Sequence, residues 1–298
     1  MTYKMIIDTD CGIDDAITII SAIKYGIDIV GITTVSGNVY VDQVTDNVLR
    51  ILNFMGRNDI KVFKGAHKPM ISEKTTPAKI HGENGIGDVK LEKSPKSEEE
   101  LPAPYAIYKL ARENPGIVLL TLGPLTNIAM AFNLYPDLKN YVSKIVSMGG
   151  AVNFGNVTRF AEFNFFYDPE AAEFVLRLGI PILLVPWDPV VATPIFEEEL
   201  KETFKGSVGK LILQMEKTVM DFVEKVRGVR GVFLPDPMAL ATFLDPTIIK
   251  SKINTSMHME LNHGSLMRGA SIIGEGHGTE IVMEVDKGKF LNFFKNIF

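Results

Sequence analysis

Through the first two thirds of the chain, short apolar runs rich in β-branched residues alternate with longer stretches of helical periodicity. The runs "MII" (5–7), "DIVGITTVSG" (28–37), "IKVFKG" (60–65), "GIVLLTLG" (116–123), "SKIVSMGG" (143–150) and "IPILLVP" (180–186) read as strands. Between them, "AITIISAIKYG" (16–26), "VDQVTDNVLRILNFMG" (41–56), "LTNIAMAFNLY" (125–135) and "DPEAAEFVLRLG" (168–179) carry the three-to-four-residue apolar spacing of helices. The first of these stops at Gly26, a residue suited to the left-handed turn that ends a helix. The final third mixes helical patterns near 197–225 with strands over "SMHMEL" (256–261) and "EIVMEV" (280–285). "SPKSEEELPAP" (94–104) reads as a helix start with its acidic residues in the first turn.

Near-continuous apolar strands joined by helices form parallel sheets buried on both faces. The expected architecture is therefore one α/β domain, 1–298, with a mostly parallel, Rossmann-like sheet covered by helices. In such sheets ligands bind beyond the carboxyl ends of the strands. Polar residues follow several predicted strands: Asp8 and Asp10, Gly37-Asn38, Leu122-Gly123 and Gly149-Gly150.

Composition narrows the function. The 298 residues are 46% hydrophobic with a net charge of −5, and no Lys/Arg cluster offers a track for a phosphate backbone. Nucleic acid is thus not an expected partner. No apolar run approaches the roughly 20 residues that span a bilayer, and Asp8 interrupts the N-terminal apolar run, so a soluble cytoplasmic protein is expected. Cys11 is the single cysteine, which excludes a disulfide framework and a multi-thiolate zinc site.

The stretch "IIDTDCGIDDA" (6–16) then stands out, with Asp8, Asp10, Asp14 and Asp15 inside eight positions between apolar segments. The start of a helix offers about half a positive charge, too little for four carboxylates. A hard divalent cation would offset them, and calcium accepts the irregular oxygen cage such a loop supplies. Asp236, in "LPDPMALATFLDP", opens another helical pattern and adds a further carboxylate.

"DTDCGIDDA" resembles the N-terminal signature of the inosine-uridine-preferring nucleoside hydrolase family. "ITTVSGN", "HGENGIG", "LTLGPLTNIA", "MGG…GN…AEFNFFYDPEAA" and "DPMAL" follow in the same order, so the resemblance spans residues 4 to about 246. It implies calcium-dependent hydrolysis of a ribonucleoside to ribose and free base, in a homodimer or homotetramer. It implies that Asp10, Asp15, Asp236 and the main-chain carbonyl of Leu122 bind the ion. Asp14, Asn38, Asn156, Glu162 and Asn164 would hold the ribose, and Asp8 would orient its neighbours. Asp10 would also deprotonate the metal-bound water. His81 matches a residue near the ribose or base, and Phe163 would wall the base. The residue types suit an oxocarbenium-like transition state, in which oriented polar groups favour the developing positive charge.

The chain departs from that family in two places. Pro235 stands where many members have a histidine that protonates the departing base, leaving Tyr167 and His81 as candidates by proximity. Cys11 replaces a common proline and reads as a small residue tolerated in the turn. Trp187 reads as packing, and Arg227 and Arg230 lie in a loop region expected near the base. Two other readings are a phosphohydrolase of the haloacid-dehalogenase type, which also begins with Asp-x-Asp after a strand, and a non-catalytic nucleoside- or sugar-binding protein. The first lacks its later lysine and acidic pair here, and Asp10 argues against the second.

Overall fold

The computed structural model describes residues 3–72 and 79–298. The first six strands lie where the apolar runs place them: β1 (Lys4–Thr9), β2 (Asp28–Thr34), β3 (Val62–Lys64), β4 (Ile117–Thr121), β5 (Val142–Met148) and β6 (Ile182–Val185). Between them run α1 (Ile13–Tyr25), α2 (Val41–Phe54), α3 (Ala103–Glu113), α4 (Thr126–Leu134), α5 (Phe163–Tyr167) and α6 (Pro169–Leu176). Then come α7 (Trp187–Val191), β7 (Ile195–Phe196), α8 (Glu197–Thr203), the long α9 (Gly206–Arg227), β8 (Gly231–Val232) and α10 (Pro235–Leu244). The chain finishes with β9 (Ile249–Met259), β10 (Ser271–Val285) and α11 (Lys287–Lys295). Among the described residues, no helix is long and apolar enough to cross a membrane.

Two expectations are corrected. Helix α3 begins only at Ala103, after Pro102, and its first turn holds no acidic residue. Glu98 instead meets Lys64 at 2.9 Å and Glu99 bridges to Phe63, so the acidic run lies along β3. Strands β9 and β10 run to 11 and 15 residues, well past the six-residue patterns that predict them. Their outer halves are exposed and carry polar and glycine residues, so backbone pairing extends them without an apolar signature.

The main sheet has the order β3-β2-β1-β4-β5-β6-β10-β9, parallel except for β9 against β10. The chain winds outward from β1 to β3, then crosses back to β4 and winds the other way. The crevice beyond the carboxyl ends of β1 and β4 is the topological switch point of this kind of sheet. Alternation along each strand feeds two cores. Ile7 and Leu120 pack with α1, α2 and α10, whereas Ile6 and Leu119 pack with α3, α4 and α6.

Asn127, fully buried at the start of α4, fastens the carboxyl edge. Its side-chain nitrogen donates to Asp8 Oδ1 at 2.8 Å and to the Thr34 carbonyl at 2.9 Å. Its Oδ1 accepts from the Ala66 N–H at 2.8 Å. Asn127→Ala removes three hydrogen bonds, two of them buried, so we expect it to lower unfolding free energy by about 3 kcal/mol, read from urea denaturation.

Candidate active site

At the end of β1 the chain turns through Cys11, a non-glycine residue at φ 41°, into α1. The turn is pinned from within. Thr9 Oγ1 accepts from the Cys11 N–H at 3.0 Å and donates to Asp15 Oδ1 at 2.5 Å, while Asp15 Oδ2 accepts from the Gly12 N–H at 2.9 Å. Asp14 and Asp15 occupy the first turn of α1, and Asp236 occupies the first turn of α10. Side-chain oxygens of Asp14, Asp15 and Asp236 lie within 4.8 Å of one another.

Asp10 flanks this group and is fully buried, its Oδ2 held by the Asn38 N–H at 2.7 Å. It is packed between two glycines that leave no room for a side chain. A Cβ on Gly37 would fall 2.0 Å from Asp10 Oδ2, and one on Gly123 would fall 3.0 Å from the Asp10 Cβ. Asp8 lies behind, paired to Thr33 at 2.5 Å and to Asn127, and burial raises its carboxyl to about 7.

Burial first, and neighbouring aspartates second, push Asp10 and Asp236 well above the ordinary carboxylate range. Burial raises Asp14 to about 6, and burial with the Asp14 charge raises Asp15. One oxygen each of Asp10, Asp14 and Asp236 is buried without a hydrogen bond. Clustered, unpartnered, all-oxygen donors fit a hard divalent cation.

Above the cluster opens a cavity of about 410 Å³. Asp14, Asn38, Leu122, Asn164 and Asp236 line it, as do His81, Asn156, Glu162 and Phe163. Asp10 and Asp15 lie behind the lining. The residues of the α5 segment hold one another: Glu162 caps α5, accepting from the N–H groups of Asn164 at 2.9 Å, Phe165 at 3.2 Å and Gly150 at 2.8 Å. Burial lifts the Glu162 carboxyl to about 7 against the pull of those donors. Asn164 donates to the Leu122 carbonyl at 2.7 Å, and Asn156 Oδ1 accepts from the Phe163 N–H at 2.9 Å.

Residues 5–292 match the family described as inosine-uridine preferring nucleoside hydrolase. The chain belongs to that family. It is 36% identical over 255 residues to uridine nucleosidase 1 of Arabidopsis thaliana, covering 84% of this chain and 76% of the relative. It is 31% identical over 305 residues to a pyrimidine-specific ribonucleoside hydrolase of Citrobacter koseri, covering 98% and 96%. Among solved structures, the purine-preferring ribonucleoside hydrolase of Gardnerella vaginalis superposes with a TM-score of 0.92 at 30% identity, covering 99% of this chain and 97% of that one. The chain is accordingly an enzyme of the nucleoside hydrolase class, and its signature Asp-x-Asp serves that family and not a phosphohydrolase.

In this nucleoside hydrolase His81 is half-buried and neutral, its Nδ1 accepting from the Ile13 N–H at 3.1 Å, and desolvation lowers its pKa to about 4. The proton therefore sits on Nε2, leaving that nitrogen a donor. Tyr167 does not line the cavity; its hydroxyl lies 3.2 Å from Ser36 Oγ. Burial and the surrounding aspartates keep the Cys11 thiol protonated, consistent with a small residue filling the turn.

The rest of the cavity wall combines residues already named from sequence with a row of α9 that sequence alone does not single out. Trp187 packs on the core as expected and also lines the cavity, its ring 5.6 Å from that of Phe233. Arg227 lies over Phe233 at 4.9 Å and lines the cavity, whereas Arg230 is tied to Glu197, Asp221 and Glu224 away from it. Glu216, Val219, Val223 and Val226 form one helical row of α9 along the wall. The signal for that row was present as an i, i+3, i+7, i+10 spacing with one acidic member.

Gly37→Ala should displace Asp10 without disturbing the core. We expect a protein that melts within a few degrees of wild type and turns over ribonucleosides roughly 10²-fold more slowly. Thermal denaturation beside a turnover assay checks both halves.

Proposed function

We propose that the enzyme hydrolyses the N-glycosidic bond of purine and/or pyrimidine ribonucleosides to ribose and free base, in a calcium-dependent reaction, with the whole chain as one catalytic domain. The observation that carries this reading is the stack of buried, unpartnered carboxylate oxygens beneath a cavity lined by carboxamides and carboxylates. Asp10, Asp15, Asp236 and the Leu122 carbonyl would hold the ion, with Asp14 bordering both ion and sugar. The Leu122 carbonyl already accepts from Asn164 and keeps a second lone pair for a cation. When bound, a divalent cation offsets the carboxylate charge and makes nearby water easier to deprotonate.

Asp10 takes the proton of the attacking water. Its Oδ2 is fixed by Asn38, so the unpartnered Oδ1 is the oxygen left for that proton. Asp14, Asn38, Asn156, Glu162 and Asn164 hold the ribose hydroxyls and orient the ring. The negative groups among them stabilise the positive charge that develops on the sugar as the bond to the base lengthens. Phe163 supplies an apolar face for the base, and His81 donates through Nε2. A homodimer or homotetramer, as the family resemblance implies, completes the reading.

Release of reducing sugar from inosine or uridine tests the activity. Asp10→Asn should fold normally and lose at least about 10³-fold in kcat, since it removes the water's proton acceptor beside the ion; near-normal turnover would refute that role. Prolonged chelation should abolish activity and lower the melting temperature, because an ion that binds only the folded state stabilises it. Calcium should restore both, and restoration by magnesium alone would count against calcium.

A further inference from the structure

Breaking the C1′–N bond sends its electron pair into the base, and a proton arriving at the base during cleavage lowers that barrier. The cavity offers few groups able to give one. His81 is neutral and held by Ile13, Pro235 has no proton, and a guanidinium such as Arg227 stays protonated. Tyr167 points at Ser36, outside the lining.

Glu216 is different. It lies midway along α9, in the row whose other members, Val219, Val223 and Val226, are apolar parts of the base-side wall. Its residue surface is 1% exposed, it lines the cavity, and among the described residues it makes no hydrogen bond or ion pair. An isolated carboxylate there would be costly, so the group stays a carboxylic acid: burial first, and the charge of Asp14 second, push it well above the ordinary range. A neutral acid, unpartnered and aimed at a cavity, is a proton donor in waiting. A merely structural role would be expected to show a partner, and among the described residues it has none.

We propose that Glu216 meets the departing base and protonates it as the glycosidic bond breaks, an assignment that rests on the hydrolase reading above. The C1′–N bond breaks with its electron pair going to the base. The Glu216 O–H bond breaks and its proton goes to a basic atom of the base, leaving Glu216 as carboxylate. Water adds to C1′ and yields its proton to Asp10. Loss of that proton to solvent from Asp10 and uptake of one by Glu216 restore the enzyme, for a net consumption of one water.

A leaving group that is stable as an anion needs no proton, which separates this role from a structural one. The calcium-loaded wild type and Glu216→Gln are compared on inosine, on uridine and on p-nitrophenyl riboside. The expected result is a loss of at least about 100-fold in kcat on both nucleosides, with nitrophenyl riboside turnover kept within about threefold. Parallel losses on all three, or no loss on any, overturn the proposal. So does a wild type that cleaves the nitrophenyl riboside and no nucleoside. If Glu216→Gln does not fold, Glu216→Met, which replaces the buried carboxyl with an apolar chain of similar size, carries the same comparison. A wild type that releases no ribose from any of the three overturns the hydrolase reading itself, and this proposal with it; an active wild type with an unselective variant overturns only the role of Glu216.

Discussion

Mutual repulsion among buried carboxylates governs this molecule. Asp8, Asp10, Asp15 and Asp236 are each no more than 1% exposed, and Asp14 stands beside them at the cavity floor. Unlike charges on a surface, these cannot be screened by water or salt, so each depends on what the protein itself supplies. That supply is small: the first turn of α1, the hydroxyls of Thr9 and Thr33, the Asn127 amide, and the N–H groups of Gly12 and Asn38. The remaining deficit has to be met by protons or by a cation. Among the described residues, one buried oxygen each of Asp8, Asp10, Asp14 and Asp236 has no partner, and these four mark where it is met.

The fold explains how so unfavourable a group of side chains is held together. Asp10 directly follows the strand before the switch point, Asp14 and Asp15 open the following helix, and Asp236 opens a helix that arrives 221 residues after Asp15. Helices α1 and α10 pack against the same face of the sheet, and their apolar sides (Ile17, Ile20, Met238, Ala241) are fully buried. Burial of that apolar surface stabilises the positions from which the carboxylates cannot relax. The close glycines at 37 and 123 complete the constraint by letting two loops press on Asp10.

How much of this could be read in the sequence follows from the range of the interactions. The first six strands, the opening of α1 and the acidic loop depend on neighbours a few residues apart, and periodicity shows them. The polar floor was also legible, because its residues follow strand ends and a parallel sheet sends all such ends to one side. The extent of β9 and β10 was not legible, since paired backbones hold them without an apolar pattern. The acidic run before α3 misled because its partner, Lys64, lies 34 residues away from Glu98. Trp187 and the cavity-facing row of α9 were hidden for a related reason: the sequence shows that a helix has an apolar stripe but not whether core or cavity faces it.

That last ambiguity bears on what the enzyme can discriminate. On the proposed reading every ribonucleoside would present the same sugar to the floor, so choice of base would come from the wall. Most of the wall is apolar, formed by Phe163, Trp187, Phe222, Val226 and Phe233. Apolar pockets distinguish substrates by size, and a methylene more or less is worth only about 1–3 kcal/mol. Strong rejection needs a polar group that a wrong base leaves unpaired. A neutral carboxyl both donates and accepts, so Glu216 can pair with carbonyl and amino edges alike. Arg227 is exposed at the mouth, where water can replace any base it fails to meet. On the proposed reading neither group would impose a heavy penalty on one class of base, and such a wall would favour graded preference over exclusion.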